Sequence, residues 1–524
     1  MEAIWHKQYP QGVPHEIDPR SYNSIPEILE EAFKSYSNLP AYHNMGTTIT
    51  FGELEIQSKK FCSYLQNRLD LQPGDRVALM LPNILQYPIA LFGTLQAGMV
   101  AVNVNPFYTA RELQHQLQDS GARAIVIFAN SAHILESVLA DTKIEHVIIT
   151  EIGDMLAFPK SWIVNMVIKH VKKMVPVWNI PQALSFKDTM DKRNLKTVKP
   201  VAVDYEDIAF LQYTGGTTGI SKGAVLTHGN IVANINQARA WIKSIAQEGK
   251  EVVITPLPLY HIFALTANCL TFSSMGALNV LITNPRDIPN FIKELKKWDF
   301  TVITGVNTLF NALLNHAEFK NLSFKKLKIA LGAGMAVQKP VAEAWQNITK
   351  VPLLEGYGLT ETSPAACINP VDISGYNGYV GLPLPSTIVA IKDDNENDVP
   401  IGEIGEICIK GPQVMQQYWQ RPEETRTVMT SDEFFKTGDL GFMNADGFVK
   451  IVDRKKDMII VSGFNVYPNE IEEVMAGYDK VLECAAIGVQ DETSGEAVKL
   501  FVVRKDPALA EDDLRSFCKK NLTG

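Results

Sequence analysis

The stretch Tyr213-Thr-Gly-Gly-Thr-Thr-Gly-Ile-Ser-Lys-Gly-Ala224 concentrates glycines, hydroxyls and one lysine in a pattern suited to holding a polyphosphate. Gly215, Gly216, Gly219 and Gly223 let the backbone take positive φ and approach an anion closely. Exposed N–H groups, the hydroxyls of Thr214, Thr217, Thr218 and Ser221, and the Lys222 ammonium supply donors and charge. A flexible surface loop is the blander reading. Against it, the apolar runs 208–211 and 224–226 read as buried strands that bracket a functional turn. A Walker A loop fits poorly, because that motif needs Gly-Lys followed by Ser or Thr, whereas Lys222 follows Ser221 and precedes Gly223. The chemistry implied is the handling of ATP.

Such a loop has to be placed by a scaffold. Runs at 77–81, 100–104, 124–128 and 146–150 read as short buried strands, with helical patterns at 86–97, 110–119 and 132–140 between them. That alternation is βαβ and predicts a parallel, helix-covered sheet. A second such region is expected to follow, with the phosphate loop near its start and Glu361 toward its end. From about residue 386 the texture changes to short strands at 387–391, 406–410 and 448–452 and an acidic turn at 393–398. After Asp453 come strands near 459–461, 485–489 and 499–503 and a helix at 468–477. The fold class is therefore α/β: a large N-terminal domain over 1–452 with two helix-covered, mainly parallel sheets and a β-rich subdomain at about 386–452, then a small α+β domain over 453–524.

With 524 residues the chain is too long for one core. A net charge of −9 argues against nucleic acid as a partner. Cys62, Cys269, Cys367, Cys408, Cys484 and Cys518 are scattered without a Cys-x-x-Cys pair, so neither a zinc site nor a disulfide framework is indicated, and a reducing cytosol fits. The N-terminus lacks the apolar core of a signal peptide, and no uncharged run approaches the roughly 20 residues that span a bilayer. The reading is a cytoplasmic protein, soluble or peripheral. On a helical wheel over 162–175, Val164, Val167, Ile168, Val171, Met174 and Val175 share one face, opposite Asn165, Lys169, Lys172 and Lys173. Packing of this face on the core is the first reading, and contact with an anionic membrane surface the second.

Three further motifs follow the loop in order. Glu355-Gly-Tyr-Gly-Leu-Thr-Glu-Thr362, Lys436-Thr-Gly-Asp-Leu440 and Asp453-Arg-Lys-Lys-Asp-Met458 resemble the adenine and magnesium segment, the ribose segment and the interdomain hinge of the adenylate-forming superfamily of acyl-CoA synthetases, luciferases and peptide-synthetase adenylation modules. From Leu79-Met-Leu-Pro-Asn83 to Ser462-Gly-Phe-Asn-Val-Tyr-Pro-Asn469 the whole chain is similar to bacterial long-chain fatty acid–CoA ligases.

The resemblance implies a site residue by residue. Thr214 to Lys222 would cradle the β and γ phosphates, with Lys222 supplying charge, and Tyr213, Gly223 and Ala224 complete the nucleotide-binding stretch. Glu361 suits Mg²⁺, which prefers a carboxylate beside nucleotide oxygens and water, and Thr214 joins it. Tyr357 would offer its face to adenine between Gly356 and Gly358; Thr360 would meet the α-phosphate; Asp439 would accept the ribose hydroxyls with Arg454 in support. Gly332 and Gly334 fall at the edge of the nucleotide and acyl pockets, and the segment 300–314 along the acyl pocket, although ordinary core reads equally well there. His261 would stand beside the acyl carbonyl, without an assigned proton transfer. Leu265 occupies the place of a tryptophan gate in some long-chain members and cannot donate an indole hydrogen bond. Asp453 is the implied hinge of a mobile C-terminal domain, and Gly463 the loop glycine beside pantetheine.

The implied reaction joins a long-chain fatty acid to coenzyme A through an acyl adenylate, with ATP and CoA as co-substrates and Mg²⁺ as cofactor. Medium-chain or aryl acids, or a non-catalytic carrier, are the alternatives. Peripheral contact with the inner membrane and a homodimer stay open. The superfamily also has a C-terminal Gly-Lys lysine that bridges carboxylate and α-phosphate, and this sequence stops at Leu522-Thr-Gly524 before any counterpart. The expectation is a truncated small domain, with ATP binding retained and adenylation weak.

Overall fold

The structure, a computed structural model, describes residues 3–214, 221–461, 464–491 and 495–522. Its first large sheet is built on the βαβ run at its centre. Arg76–Met80 lies between Val100–Asn103 and Ala124–Phe128, and His146–Thr150 follows, all parallel. These strands are buried on both faces, as near-continuous runs of Val, Ile, Leu and Ala require. The helix Ala110–Ser120 begins with a capping box between Thr109 and Glu112.

The phosphate-loop hairpin belongs to this first sheet instead of opening the second. Ile208–Tyr213 runs parallel to Val100–Asn103, and Gly223–Thr227 returns antiparallel beside it. The connection 214–222 is too short for a parallel crossover, which takes a dozen or more residues. The two-residue strand Gln417–Tyr418 then covers the open edge of Gly223–Thr227.

The second sheet carries the parallel strands Leu353–Gly358, Ile329–Gly332, Val302–Gly305, Val252–Thr255 and Leu278–Leu281 in that spatial order. A hairpin from far upstream, Pro40–Asn44 and Thr47–Thr50, completes one edge, with Pro40–Asn44 parallel to Leu278–Leu281. Sequence texture does not reveal this strand exchange, because the hairpin's nearest neighbours in the chain are helical. One continuous core holds both sheets, including Leu79 from the first, Tyr42 and Leu281 from the second, and Tyr87 and Leu265 from the helices Gln86–Gln96 and Ala264–Thr271.

Polar groups cross this seam and are satisfied there. The Tyr87 hydroxyl lies 2.7 Å from both Asn103 Oδ1 and the Leu259 carbonyl. Asn103 Nδ2 donates to Gln212 Oε1 at 2.9 Å, and Gln212 Nε2 to the Tyr260 carbonyl at 2.9 Å. Asn83 Oδ1 accepts from the Leu259 N–H at 2.9 Å. The segment that leads into His261 is thereby fastened to the first sheet.

The β-rich part is a four-stranded antiparallel sheet of Ile388–Lys392, Gly405–Lys410, Phe435–Met443 and Val449–Arg454. Phe435–Met443, absent from the sequence reading because Lys-Thr-Gly-Asp lacks strand character, is the strand that carries Asp439. The C-terminal sheet comprises Phe464–Val466, Ile459–Val461, Gly495–Arg504 and Val481–Asp491. Ile471 and Met475 of the helix Pro468–Ala476 pack on Val481 and Ala486 of that sheet.

The basic amphipathic segment departs from its expected packing. The helix Lys160–Met166 passes into a π-helical turn at Val167–Val171, which breaks the 3.6-residue register of the wheel. Asn165 points inward, accepting from the Gly153 N–H at 2.7 Å and donating to Asp154 Oδ1 at 3.0 Å. Of the apolar face, Val171 and Met174 are exposed, whereas Val164, Val167 and Ile168 are half-buried and Val175 packs against the core of the first sheet; Trp162 and Met166, off that face, are exposed as well.

Tyr87 offers a test of the seam. Tyr87→Phe removes the donor facing two buried acceptors and should lower stability by about 1–3 kcal/mol. The check is a fall in the urea midpoint of the first unfolding transition relative to the wild-type chain.

Candidate functional site

A cavity of about 740 Å³ opens where the two large sheets, the β-rich sheet and the residues after Asp453 meet. Its wall has two chemical ends. Thr214, Tyr357, Thr360, Glu361, Asp439 and Arg454 line the polar end, and Ile242, Phe263, Phe272, Val302, Ile329 and Ile368 line the apolar one.

At the polar end the hairpin narrows to a closed neck. The Thr214 N–H donates to the Lys222 carbonyl at 2.9 Å, and Ser221 Oγ donates to the Thr214 carbonyl. Gly223 packs closely, since a Cβ there would make a tight contact at 3.1 Å from the Tyr213 ring. Tyr213 is drawn down by its hydroxyl, which donates to Asp119 Oδ2 at 2.7 Å. Ala224 is buried in the strand that follows. Gly215, Gly216, Thr217, Thr218 and Gly219, and likewise Gly463, lie outside the described residues.

Glu361 sits in the short 3₁₀ turn Thr360–Thr362 and is buried. The Tyr418 hydroxyl donates to its Oε1 at 2.6 Å, and the Met415 N–H to its carbonyl at 2.7 Å. Burial raises its pKa above the usual carboxylate range, while the Tyr418 hydrogen bond and the Lys222 charge pull it back. The turn is tight enough to dictate glycine at 358, where a Cβ would fall 1.8 Å from the Pro364 carbonyl oxygen. At Gly356 a Cβ would make only ordinary contacts.

A second tyrosine–carboxylate pair stands at the other flank. The Tyr357 hydroxyl donates to Asp439 Oδ2 at 2.6 Å, and Arg454 Nε lies 3.4 Å from Oδ1. Burial raises the Asp439 pKa, opposed by the Tyr357 hydrogen bond and the Arg454 charge. Arg454 and Asp439 face each other across paired strands. Asp453, one residue earlier, accepts from the Arg454 N–H at 2.7 Å and from the Asn469 N–H at 3.0 Å, reaching the first turn of the helix Pro468–Ala476.

His261 lines the cavity. Its accessible face opens into the cavity, while protein packs around the rest, and that desolvation lowers its pKa. The Phe263 N–H donates to Nδ1 at 3.3 Å, which leaves the proton of the neutral ring on Nε2. Gly334 lines the cavity. Gly332 does not: a Cβ there would run into Val337. Of the segment 300–314, Val302 and Thr304 reach the cavity, whereas Phe310 and Leu313 of the helix Asn307–Leu314 are buried in a separate core with Trp345. Leu265 also faces core and not cavity.

Several residues of the site escape sequence reasoning. Tyr418 holds Glu361, Glu424 pairs with Lys222, and Lys455 and Lys456 stand at the mouth. The aromatic pair Tyr418-Trp419 amid polar residues is the one local signal for this stretch. Glu355 is buried with a single hydrogen bond, from the Val337 N–H at 3.2 Å, and burial pushes its pKa up to about 8. Among the described residues no cluster of three or more His, Cys, Asp or Glu side chains could hold a metal by itself, and no helix is long and apolar enough to cross a membrane.

The geometry has relatives. The chain is 56% identical to the long-chain-fatty-acid–CoA ligase of Yersinia pestis, over 100% of this chain and 93% of that protein. It is 35% identical to the long-chain-fatty-acid–CoA ligase of Bacillus subtilis, over 99% and 92%. The ATP-bound crystal structure of MatB from Rhodopseudomonas palustris superposes with a TM-score of 0.81 at 26% identity, covering 96% of this chain and 93% of that one. The Mycobacterium tuberculosis fatty acyl CoA synthetase gives a TM-score of 0.71 at 25% identity, covering 95% and 92%. Residues 29–419 match the AMP-binding enzyme family and 470–524 the AMP-binding enzyme C-terminal domain, so the chain that builds this two-ended cavity belongs to the AMP-binding enzyme family.

Proposed function

We propose that this protein joins a long-chain fatty acid to coenzyme A in an ATP-dependent reaction that passes through an acyl adenylate. The observation that carries the reading is the single cavity whose polar end is framed by the Lys222 hairpin, Glu361 and Asp439 and whose other end is apolar. The names of the bacterial relatives support the long chain.

In the first step a carboxylate oxygen attacks the α-phosphorus and the bond to pyrophosphate breaks. Nucleophile and phosphate are both anionic, so the protein must supply fixed charge and geometry. Lys222 and the hairpin neck serve the β and γ phosphates, Thr360 the α-phosphate, and Tyr357 with Asp439 the nucleoside. His261, neutral through burial, can donate from Nε2 to the acyl oxygen without adding a charge. In the second step the CoA thiolate attacks the acyl carbon and the bond to AMP breaks. A turn about Asp453 would change the face that the C-terminal domain presents.

Magnesium fits the donor set. It is usually held by one or two carboxylates together with phosphate oxygens and water; Glu361 and Thr214 line the same cavity, and Tyr418 takes only one Glu361 oxygen. When bound, it would neutralise charge on the phosphates.

We also propose that the helical segment around 158–177 meets the inner membrane surface, where fatty acids partition. Phe158 is 86% exposed, Trp162 62% and Val177 96%. Lys160, Lys169, Lys172 and Lys173 accompany them, a combination suited to anionic lipid.

Four measurements test these proposals. Pyrophosphate exchange across acids of graded length should peak among long chains; a peak at aryl or short acids would replace the substrate assignment. Glu361→Gln should lower exchange about 10²-fold or more, and Tyr418→Phe should weaken magnesium affinity roughly 10- to 100-fold. Loss of the Tyr418 hydrogen bond also removes a force that lowers the Glu361 pKa. The acid limb of the Tyr418→Phe pH profile should therefore move to higher pH, and an unmoved limb would detach Glu361 from catalysis. Reversing Lys169, Lys172 and Lys173 to glutamate should reduce binding to anionic liposomes by about 1 kcal/mol per charge, and Trp162→Ser should weaken it further; unchanged sedimentation with liposomes would refute the membrane face.

A further inference from the structure

The Lys222 ammonium is already partnered. Its Nζ lies against Oε2 of Glu424, in the short helix Pro422–Thr427, and both side chains remain more than a third exposed. The carboxylate is held in place from behind. Its other oxygen is 3.7 Å from Arg421 Nε, and Arg421 Nη2 is 2.8 Å from Asp119 Oδ1, the same carboxylate that accepts from Tyr213. The helix is tied to the hairpin edge by the Tyr418 N–H on Thr425 Oγ1 at 3.0 Å and the Trp419 N–H on the Gly223 carbonyl at 2.7 Å. The same ammonium stands 5.2 Å from the centre of the Tyr418 ring, whose hydroxyl holds Glu361. One frame thus fixes both a carboxylate for Lys222 and the carboxylate assigned to magnesium.

A partly exposed ion pair is weak, and a polyphosphate offers the same ammonium several negative oxygens. Resting on the reading of Lys222 as the phosphate cation, we propose that Glu424 is an exchange counter-ion for it. Glu424 holds Lys222 while the phosphate site is empty, yields it to the β and γ phosphates of an entering nucleoside triphosphate, and takes it back as pyrophosphate leaves. It is a positioning residue, since it meets the reaction only through Lys222. The exchange lowers the affinity for ligands that carry β and γ phosphates and leaves AMP, which lacks them, unaffected. Pyrophosphate therefore departs more readily than the charge of Lys222 alone would allow.

The test is calorimetric titration of the full chain with magnesium pyrophosphate, magnesium ATP and AMP. Glu424→Gln, and independently Glu424→Ala, should bind pyrophosphate and ATP roughly 2- to 5-fold more tightly, the range of a partly exposed ion pair, with AMP affinity unchanged. Lys222→Gln should weaken both polyphosphates, and adding Glu424→Gln to it should change nothing more, because the two substitutions act through one contact. Unchanged or weaker pyrophosphate binding in Glu424→Gln, or an equal gain for AMP, would overturn the exchange role while leaving Lys222 at the phosphates. Undiminished polyphosphate binding by Lys222→Gln would overturn the phosphate reading itself and this inference with it.

Discussion

Two carboxylates withdrawn from water, Glu361 and Asp439, set the terms for the rest of the site, and each is held by one tyrosine hydroxyl at 2.6 Å. An isolated buried carboxylate is expensive unless it is hydrogen-bonded, and a hydroxyl donating to a charged oxygen is among the stronger bonds available. The four partners come from three sheets. Tyr357 and Glu361 flank the end of a strand of the second large sheet, Tyr418 lies on the edge strand of the first, and Asp439 on the β-rich sheet. Satisfying these carboxylates therefore draws three separately built layers onto the segment 356–361.

The cavity's division follows from that arrangement. Charged groups gather where the layers converge, and the wall formed by the second sheet and the helix His228–Ile242 is largely aliphatic and aromatic, through Ile242, Val302 and Ile329 with Phe272. His261 lines the same cavity, and the residues that lead into it are carried by the polar seam through Asn83, Asn103 and Gln212. Low local dielectric strengthens the fixed dipoles at the polar end and favours the neutral imidazole. A reaction between a water-loving nucleotide and a water-avoiding chain needs such a gradient within one enclosure.

Much of this was legible in the residues, for identifiable reasons. The βαβ core at 76–150 has strong two-faced burial, so its strands and helices follow from hydrophobic period alone. The strand end near Glu361 carries a glycine whose need is steric, as Gly358 shows against Pro364. What escaped was non-local. The hairpin 40–50 joins a sheet formed by residues more than two hundred positions later, and Tyr418 acquires its importance from Glu361 across the fold. The strand under Asp439 was hidden because a site's polar and glycine residues suppress strand character. At 160–174 the wheel held for Val164, Val167 and Ile168 and missed at Val171 and Met174, where a π turn inserts a step that a regular period does not contain.

The same accounting bears on motion of the C-terminal domain. Asp453 is not a loose joint: its carboxylate accepts from the Asn469 N–H at 3.0 Å, and Asn469 Nδ2 reaches the Val452 carbonyl at 3.3 Å. A further link joins Asn311 Nδ2 to the Leu482 carbonyl at 3.3 Å. A turn about Asp453 gives up these bonds, of which the one to the carboxylate is worth about 1.5–3 kcal/mol and each neutral one about 0.5–1.5 kcal/mol. The sum is a few kcal/mol, the range in which a bound ligand can shift a two-state equilibrium. Burial raises the Asp453 pKa, so the charge that strengthens the Asn469 bond is itself held at some expense of hydration. These few bonds are thus enough to define the observed orientation of the C-terminal part, and if it turns about Asp453 as proposed, their loss sets the cost.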